Sequence, residues 1–418
     1  MIDFRMIAAD THLCEHPKAW ERAQKEVGDQ APHIVKDPPG YGKGLWIFFN
    51  DKISPARSAY YPLGLIVKKA KGMKVAEDGT MKDKDAYKNM VNEFNETFTY
   101  EKWPGGWDPK QILKDWDEDG VEAGLLFSSP TRYNFSQTDA KLQRCIFNSY
   151  NEWMIEEVGS YNPKRLFPVP LISVLDVDLT VKDIVDYAKR GIKTVQIPTR
   201  ILGSGYYDRK YDPIWAAAQD CNIVINAHHN SDQGANRVKE KGGRTTQSGA
   251  REFDPTTEVY KGPNFAPAME CISNFIFSGI FDRFPKLRLA LSEFKIFWVG
   301  GIVHTIDYHV RRYSTYDPER NAYKRDPSEY FRDNIFFTFE HDRAGLLTTP
   351  FYGEDNFMFA SDYPHHVSTW PHSKAVLEET SAGLPRRVVE KVGRDNAIKV
   401  FNLDLPLAAD AKIRVAAE

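Results

Sequence analysis

Eight short apolar runs, each closing on a polar cluster, constrain this chain more than any other feature. They are residues 6–12 (MIAADTH), 121–128 (VEAGLLFS), 166–173 (LFPVPLIS), 194–199 (TVQIPT), 222–228 (NIVINAH), 287–293 (LRLALSE), 335–340 (IFFTFE) and 357–362 (FMFASD). Apolar and β-branched runs of this length read as buried strands, and the longer segments between them carry helical periodicity. The spacing predicts helices over 139–158 and 212–221, the second opening with Asp212-Pro213, which suits an N-cap followed by proline at N1. A parallel strand needs a crossover to reach its neighbour, so eight βα units in order predict a closed parallel barrel. The alternative is an open doubly wound sheet. Such a sheet places a Gly-rich phosphate turn after its first strand, where this chain has Asp10-Thr11-His12-Leu13-Cys14-Glu15. The expected fold is therefore α/β, a (β/α)8 TIM-type barrel over residues 1–418 as a single domain.

Two segments interrupt the repeat. The first, at about 16–107, is dense in aromatics, among them Tyr41, Trp46, Phe48, Phe49, Tyr60, Tyr61, Phe94, Phe98, Tyr100, Trp103 and Trp107. A solvated linker would not carry so much apolar surface, so the segment is expected to pack as a subdomain or dimer contact, or to cover the barrel mouth. The second, at about 230–263, is polar and Gly-rich and is expected to be an active-site loop. The lysine-rich patch at 68–74 reads as a solvated face.

Composition narrows the partners. Lys plus Arg number 55 against 58 Asp plus Glu, a formal net charge of −3, which provides no basic field for a polyanion and argues against nucleic acid. The four cysteines, Cys14, Cys145, Cys221 and Cys271, form neither a disulfide framework nor a CxxC zinc site. The N-terminus lacks the basic start and apolar core of a signal peptide, and the apolar runs are too short to span a membrane. A cytoplasmic protein acting on a small molecule without nucleic acid or membrane, and assembling as a homo-oligomer, is the expectation.

In a parallel barrel the chemistry sits at the C-terminal ends of the strands. Here those ends hold metal-ligand types. Asp10 and His12 close the first run, two positions apart, so both side chains can face the lumen. His228 closes the fifth, Glu293 the sixth and Asp362 the eighth. A lone His or Asp at a strand end is often a cap, but three carboxylates buried together are unfavourable unless cations neutralise them. Imidazole and carboxylate without thiolate suit zinc, manganese or iron(II) in a catalytic site, one or two ions per chain.

These residues carry a resemblance. Asp10-Thr11-His12 with Glu15, Val224-Ile225-Asn226-Ala227-His228, Leu291-Ser292-Glu293 with Trp298, Phe359-Ala360-Ser361-Asp362-Tyr363-Pro364-His365 with Trp370-Pro371-His372, and the closing 394–401 segment are similar to the amidohydrolase-related family, the branch with aminocarboxymuconate-semialdehyde and resorcylate-type decarboxylases. The resemblance implies that Asp10, His12, His228 and Asp362 are metal ligands and that Asp362 also handles the proton of an activated water. Asp10 stands where the common form is a histidine, and Glu293 where the family commonly has a catalytic histidine, which makes Glu293 both a catalytic candidate and a ligand of a second metal. The bridging lysine of other branches has no counterpart among Gln196, Thr199 and Arg200.

Arg200, His229 and His365 are the expected substrate contacts, with His366, His372, Glu340 and His341 open between structural and functional roles and His304 and His309 read as packing residues. The ligand set predicts a metal-dependent hydrolase attacking an ester, thioester or amide carbon of a partly apolar molecule. The alternative is nonoxidative decarboxylation of an aromatic or unsaturated acid, for which Arg200 is the cation visible at a barrel end.

Overall fold

The computed structural model describes residues 2–50, 53, 55–68, 84–201, 203–233, 265–315 and 323–415. Most of the second insertion and all of the lysine-rich patch beyond Lys68 lie outside these residues.

Eight parallel strands form the barrel: β1 (Met6–Leu13), β5 (Val121–Ser128), β6 (Leu166–Pro168), β7 (Thr194–Ile197), β8 (Val224–His228), β9 (Leu289–Ser292), β10 (Ile335–Phe339) and β11 (Phe357–Phe359). They run as a three-stranded arc, β1-β5-β6, and a five-stranded arc, β7-β8-β9-β10-β11. The arcs meet where Leu171 bridges Gln196 and where the Ser361 and Asp362 N–H groups, each 3.2 Å from the Asp10 carbonyl, tie the end of β11 to β1. Each strand coincides with one of the eight runs.

Alternation along the strands sorts the side chains. Ile7, Ala9, Leu125, Val224, Ala290, Phe336 and Met358 fill the barrel interior, and Ile398, Phe401 and Leu403 close its bottom. The opposite faces, including Met6, Ala8, Val195, Ile225 and Phe337, pack outward on the helices. Burying each large side chain contributes about 1.5–3 kcal/mol, which the ordering of the chain largely offsets.

Parity changes within β1. Ala8 pairs with Gly124 but Thr11 pairs with Leu126, so three steps on β1 oppose two on β5, a bulge of one residue. Strict alternation from Ile7 and Ala9 would send positions 11 and 13 inward. The bulge instead places Asp10 and His12 above Ile7 and Ala9, while Leu13 packs outward.

The helices follow the sequence with one local difference. Asp139 caps Ala140–Trp153 by accepting from the Lys141 and Leu142 N–H groups, and a π-helical turn, Met154–Val158, continues it. Asp212 is the first residue of Asp212–Asp220 rather than its N-cap, and its carboxylate receives Arg283 at 2.8 Å and 3.0 Å instead of backbone N–H groups. A guanidinium fork outcompetes a cap because its bonds are charge-assisted.

Within the first insertion, β2 (His33–Lys36), β3 (Leu45–Phe48) and β4 (Ala56–Arg57) form an antiparallel sheet, followed by a 3-10 segment, Ser58–Lys68, and the helix Lys84–Thr97. The 3-10 segment reaches the end of β11: the Gly64 N–H donates to the Pro364 carbonyl at 3.0 Å, and the Tyr61 and His365 rings lie 6.4 Å apart. On the other side, Cys14 N–H donates to the Gly106 carbonyl and Gly106 N–H to the Tyr363 hydroxyl. Parts of the aromatic insertion thus lie beside the ligand-bearing ends of β1 and β11. No helix among the described residues is long and apolar enough to cross a membrane.

Candidate metal centre

The strand ends converge. His12 Nε2 lies 3.1 Å from His228 Nε2, 3.5 Å from Asp10 Oδ1, 3.3 Å from Asp362 Oδ1 and 3.7 Å from Glu293 Oε1. His228 Nε2 is 3.5 Å from Asp10 Oδ2. Asp10, His12 and His228 form one group able to hold a metal ion, and His12, Glu293, Asp362 and His365 form a second that shares His12. Five of the predicted site residues, with His365, are therefore brought together.

Local backbone accounts for the aim of each. His228 follows Val224 and Asn226 on the inward face of β8. Glu293 and Asp362 lie just past the ends of β9 and β11 with φ of 62° and 52°, a left-handed conformation that is uncommon for side chains of this kind and clusters at functional sites. The Glu293 N–H is held by Thr338 Oγ1 at 3.1 Å. Below the ligands a polar layer separates them from the apolar interior: Gln196 donates to Ser231 Oγ, and Ser292 Oγ to Asn226 Oδ1.

Both oxygens of Asp10 and both of Asp362 are buried and accept no hydrogen bond among the described residues. Carboxylate oxygens left so are costly. The imidazoles around them are oriented by their far nitrogens: His12 Nδ1 lies 3.2 Å from the Ser128 carbonyl and His228 Nδ1 2.7 Å from that of His229. Donation to those carbonyls leaves each Nε2 lone pair facing the aspartates, the arrangement a metal ligand requires. A divalent cation fits this donor set.

Charge follows the geometry. Burial pushes the His12 pKa down to about 3, so its ring is neutral, while burial lifts Asp10 to about 6 against the pull of His228. Burial, reinforced by Glu293 and Asp10, raises Asp362 well above the ordinary carboxylate range. Partial burial also acts on Glu293, but His228 and His12 outweigh it and hold its carboxyl well below the ordinary range. Without a cation, the carboxyls of the cluster cannot all ionise together.

His365 extends the cluster. Its Nδ1 is 2.9 Å from Asp362 Oδ1, its Nε2 pairs with Ser129 Oγ at 2.8 Å, and its ring stacks on His12 with centroids 3.9 Å apart. Arg200 and His229, the other expected substrate contacts, have partners of their own. Arg200 donates to Asp232 at 2.7 Å and reaches Glu270 at 3.4 Å, and the His229 ring packs edge-on against Phe294. Glu340 pairs with Lys295, His341 with Glu379, and His366 lies against Tyr60. His304 sits against Phe351 in the helix Val299–Ser314, where His309 also lies.

Two further candidates are Arg132, which the sequence did not single out, and Glu15, which it named only within the first-strand motif. Arg132, 4% exposed, lies behind His12, with Nη1 donating to the Ser128 carbonyl at 2.8 Å and 3.3 Å from His12 Nδ1. Glu15, 1% exposed, accepts from Ser128 Oγ at 2.6 Å and from the Ser129 and Thr131 N–H groups through Oε1. The available signal was position: Ser129-Pro130-Thr131-Arg132 directly follows the second strand, at the barrel end where chemistry sits.

Comparison with known proteins agrees with this architecture. An amidohydrolase from Mycobacterium avium subsp. paratuberculosis K-10 superposes with a TM-score of 0.71 at 19% identity, covering 96% of this chain and 100% of that one. A 5-carboxyvanillate decarboxylase from Sphingomonas paucimobilis gives 0.58 at 19% identity, with 96% and 100% covered. A dihydroxybenzoic acid decarboxylase from Polaromonas sp. JS666, solved with manganese and the inhibitor 2-nitroresorcinol, gives 0.57 at 15% identity, with 96% and 98% covered. These likenesses establish a shared barrel. The amidohydrolase family model matches residues 56–403, a span that takes in seven of the eight barrel strands together with His228, Glu293 and Asp362, and the chain belongs to that family.

Proposed function

We propose that the chain is a metal-dependent, nonoxidative decarboxylase of an aromatic or unsaturated carboxylic acid, acting as a single barrel domain. The observation that carries the reading is the convergence of Asp10, His228 and Asp362 on His12, which belongs to both groups able to hold a metal ion. At the end of β7, where other branches of the superfamily place a bridging lysine, Gln196 bonds Ser231 and Thr199 bonds the His228 carbonyl. That arrangement suits one divalent cation rather than two. Manganese in the Polaromonas decarboxylase and the likeness in fold to the 5-carboxyvanillate enzyme support decarboxylation over the acyl hydrolysis that the sequence favoured.

Asp10, His12, His228 and Asp362 would hold the cation, which would supply Lewis-acid polarisation of the bound acid. The chain's own residues do the rest. The bond between ring carbon and carboxyl carbon breaks, its electron pair stays on the ring carbon, that carbon takes a proton, and carbon dioxide leaves. In this reading Asp362 moves the proton, supported by His365 Nδ1 2.9 Å from its Oδ1 and by Ser129 Oγ beyond that ring. Glu293, 3.7 Å from His12 Nε2 and 3.6 Å from His228 Nδ1, would add negative charge beside the cation.

The deciding experiment incubates manganese-loaded protein with a panel of hydroxybenzoic acids and, separately, with ester, thioester and amide substrates. Carbon dioxide release from an acid supports the reading. Turnover confined to acyl substrates would refute it in favour of hydrolysis.

A further inference from the structure

Two carboxylates lie on the buried face of the helix Pro109–Asp119. Ile112, Leu113 and Trp116 pack that face into the core, and Asp115, 3% exposed, shares it. Residues four apart on a helix lie one above the other, so Asp115 and the buried Asp119 form a row along it. A carboxylate on an apolar face is informative, because its burial is costly unless specific donors meet it.

The donors come from the segment that follows Asp362. The Tyr363 hydroxyl donates to Asp115 Oδ2 at 2.7 Å, the Trp370 indole N–H to the Asp115 carbonyl at 3.2 Å, and the Ser373 N–H to Asp119 Oδ1 at 2.8 Å. Gln111 donates to Asp115 Oδ1 at 2.9 Å. The phenol oxygen of Tyr363 also accepts the Gly106 N–H at 3.1 Å, so it is held from two sides. A phenol donating to a carboxylate makes a charge-assisted bond, roughly twice as strong as a neutral one.

The other end of Tyr363 reaches the ligands. It directly follows Asp362, and its carbonyl accepts the His12 N–H at 2.6 Å. A side chain anchored at its tip by Asp115 and Gly106 therefore fixes the backbone from which His12 and Asp362 extend. Both ligands owe part of their aim to a carboxylate that touches neither of them.

We propose that Asp115 is a positioning residue for the metal centre, acting through Tyr363 on His12 and Asp362. This rests on the metal centre of the reading above and is independent of which reaction the metal serves. Partners behind metal ligands ordinarily grip the ligand side chains. Here the grip is on the main chain between two ligand-bearing strands, and the helix Pro109–Asp119 supplies it.

The test is titration of metal-free protein with manganese(II) against a fluorescent chelator, alongside melting temperatures of the metal-free forms. Asp115→Ala and Tyr363→Phe should each weaken manganese binding by ~10–100-fold, the scale for groups that orient ligands. The double variant should bind no more weakly than either single one, since both changes break the same link. Asp115→Asn, whose amide oxygen still accepts from the phenol, should recover part of the affinity. Asp119→Ala loosens the same segment at Ser373 and should lower the melting temperature while leaving manganese affinity unchanged. Losses that add in the double variant, or an Asp119→Ala protein as weakened toward manganese as Asp115→Ala, would overturn the role in favour of general packing. Should Asp115→Ala fail to fold, Tyr363→Phe decides, and wild-type affinity in that variant refutes the proposal. A wild type that takes up no manganese rejects the metal centre itself and the positioning role with it, whereas a wild type that binds manganese no better than Asp115→Ala and Tyr363→Phe rejects the role alone.

Discussion

The Nε2 atoms of His12 and His228 face one another at 3.1 Å, with their rings nearly perpendicular at 87°. Each ring has its other nitrogen at a backbone carbonyl, so both lone pairs point into the same space, and the oxygens of Asp10 and Asp362 close around it. Two Nε2 lone pairs held this close repel unless a proton or a cation lies between them, and the buried, unbonded oxygens of Asp10 and Asp362 around them suit a cation.

Removal of either imidazole should therefore empty the site. His12→Ala and His228→Ala are expected to lower bound manganese, measured by elemental analysis after dialysis, by at least the ~10–100-fold affinity loss that changes to residues behind the ligands already cause. Retention of full metal by both variants would contradict the assignment.

Asp362 and Glu293 should separate metal binding from proton movement. Asp362→Asn keeps the shape and one oxygen, so some metal should remain while carbon dioxide release falls by roughly two to four orders of magnitude, the scale of a lost general acid or base. Glu293→Gln should leave the metal count at one and lower turnover. A fall in metal count from two to one in Glu293→Gln would instead place a second ion on Glu293.

Glu15 predicts a pH signature of stability. Burial raises its pKa from 4.5 to about 7 in the fold, against the pull of Ser128, the backbone N–H groups and Arg132. The folded state then binds more protons than the unfolded state between those values, so the contribution of Glu15 is fully present below about 4.5 and is lost as pH rises through about 7. A shift of this size is worth on the order of 3 kcal/mol. Glu15→Gln, neutral at every pH, should flatten that part of the curve. Urea denaturation of metal-free wild type and variant at pH 5 and pH 8 measures it, and parallel curves would rule out the effect.

The approach of the first insertion to the barrel end depends on Gly64. A Cβ there would lie 2.3 Å from the His365 carbonyl oxygen and 2.6 Å from that of Pro364, both backbone atoms that cannot swing aside. Gly64→Ala should push the Ser58–Lys68 segment away from β11, cost roughly 1–3 kcal/mol as overpacking does, and reduce activity more than metal content. Faster hydrogen exchange in that segment, with the barrel strands unchanged, is the expected result.

Much of the fold was legible because its signals are local. Each of the eight runs became a strand, since apolar stretches of that length must be buried on both faces and the helical segments between them supply the cover. The polar ends of those strands, Asp10, His12, His228, Glu293 and Asp362, were readable for the same reason: a parallel barrel gathers its strand ends at one mouth whatever the loops do. Arg200 shows the limit of that rule. It lies three residues past the end of β7, yet Asp232 and Glu270 are its partners, and neither is near it in sequence.

What the chain order could not reveal lies in contacts between distant segments. Alternation alone would have turned Thr11 and Leu13 inward from Ile7 and Ala9; the bulge opposite Gly124 and Leu126 reverses that parity and aims Asp10 and His12 at the lumen. The left-handed turns at Glu293 and Asp362, and the bonds by which Glu15 sets Ser128 and Arg132 across more than a hundred residues, arise only when β1, β5, β9 and β11 are in register. Residue types and their period thus determined the barrel and the inventory of ligands. Pairing between strands remote in sequence decided which side chains meet, because a one-residue change in register moves every later side chain to the opposite face.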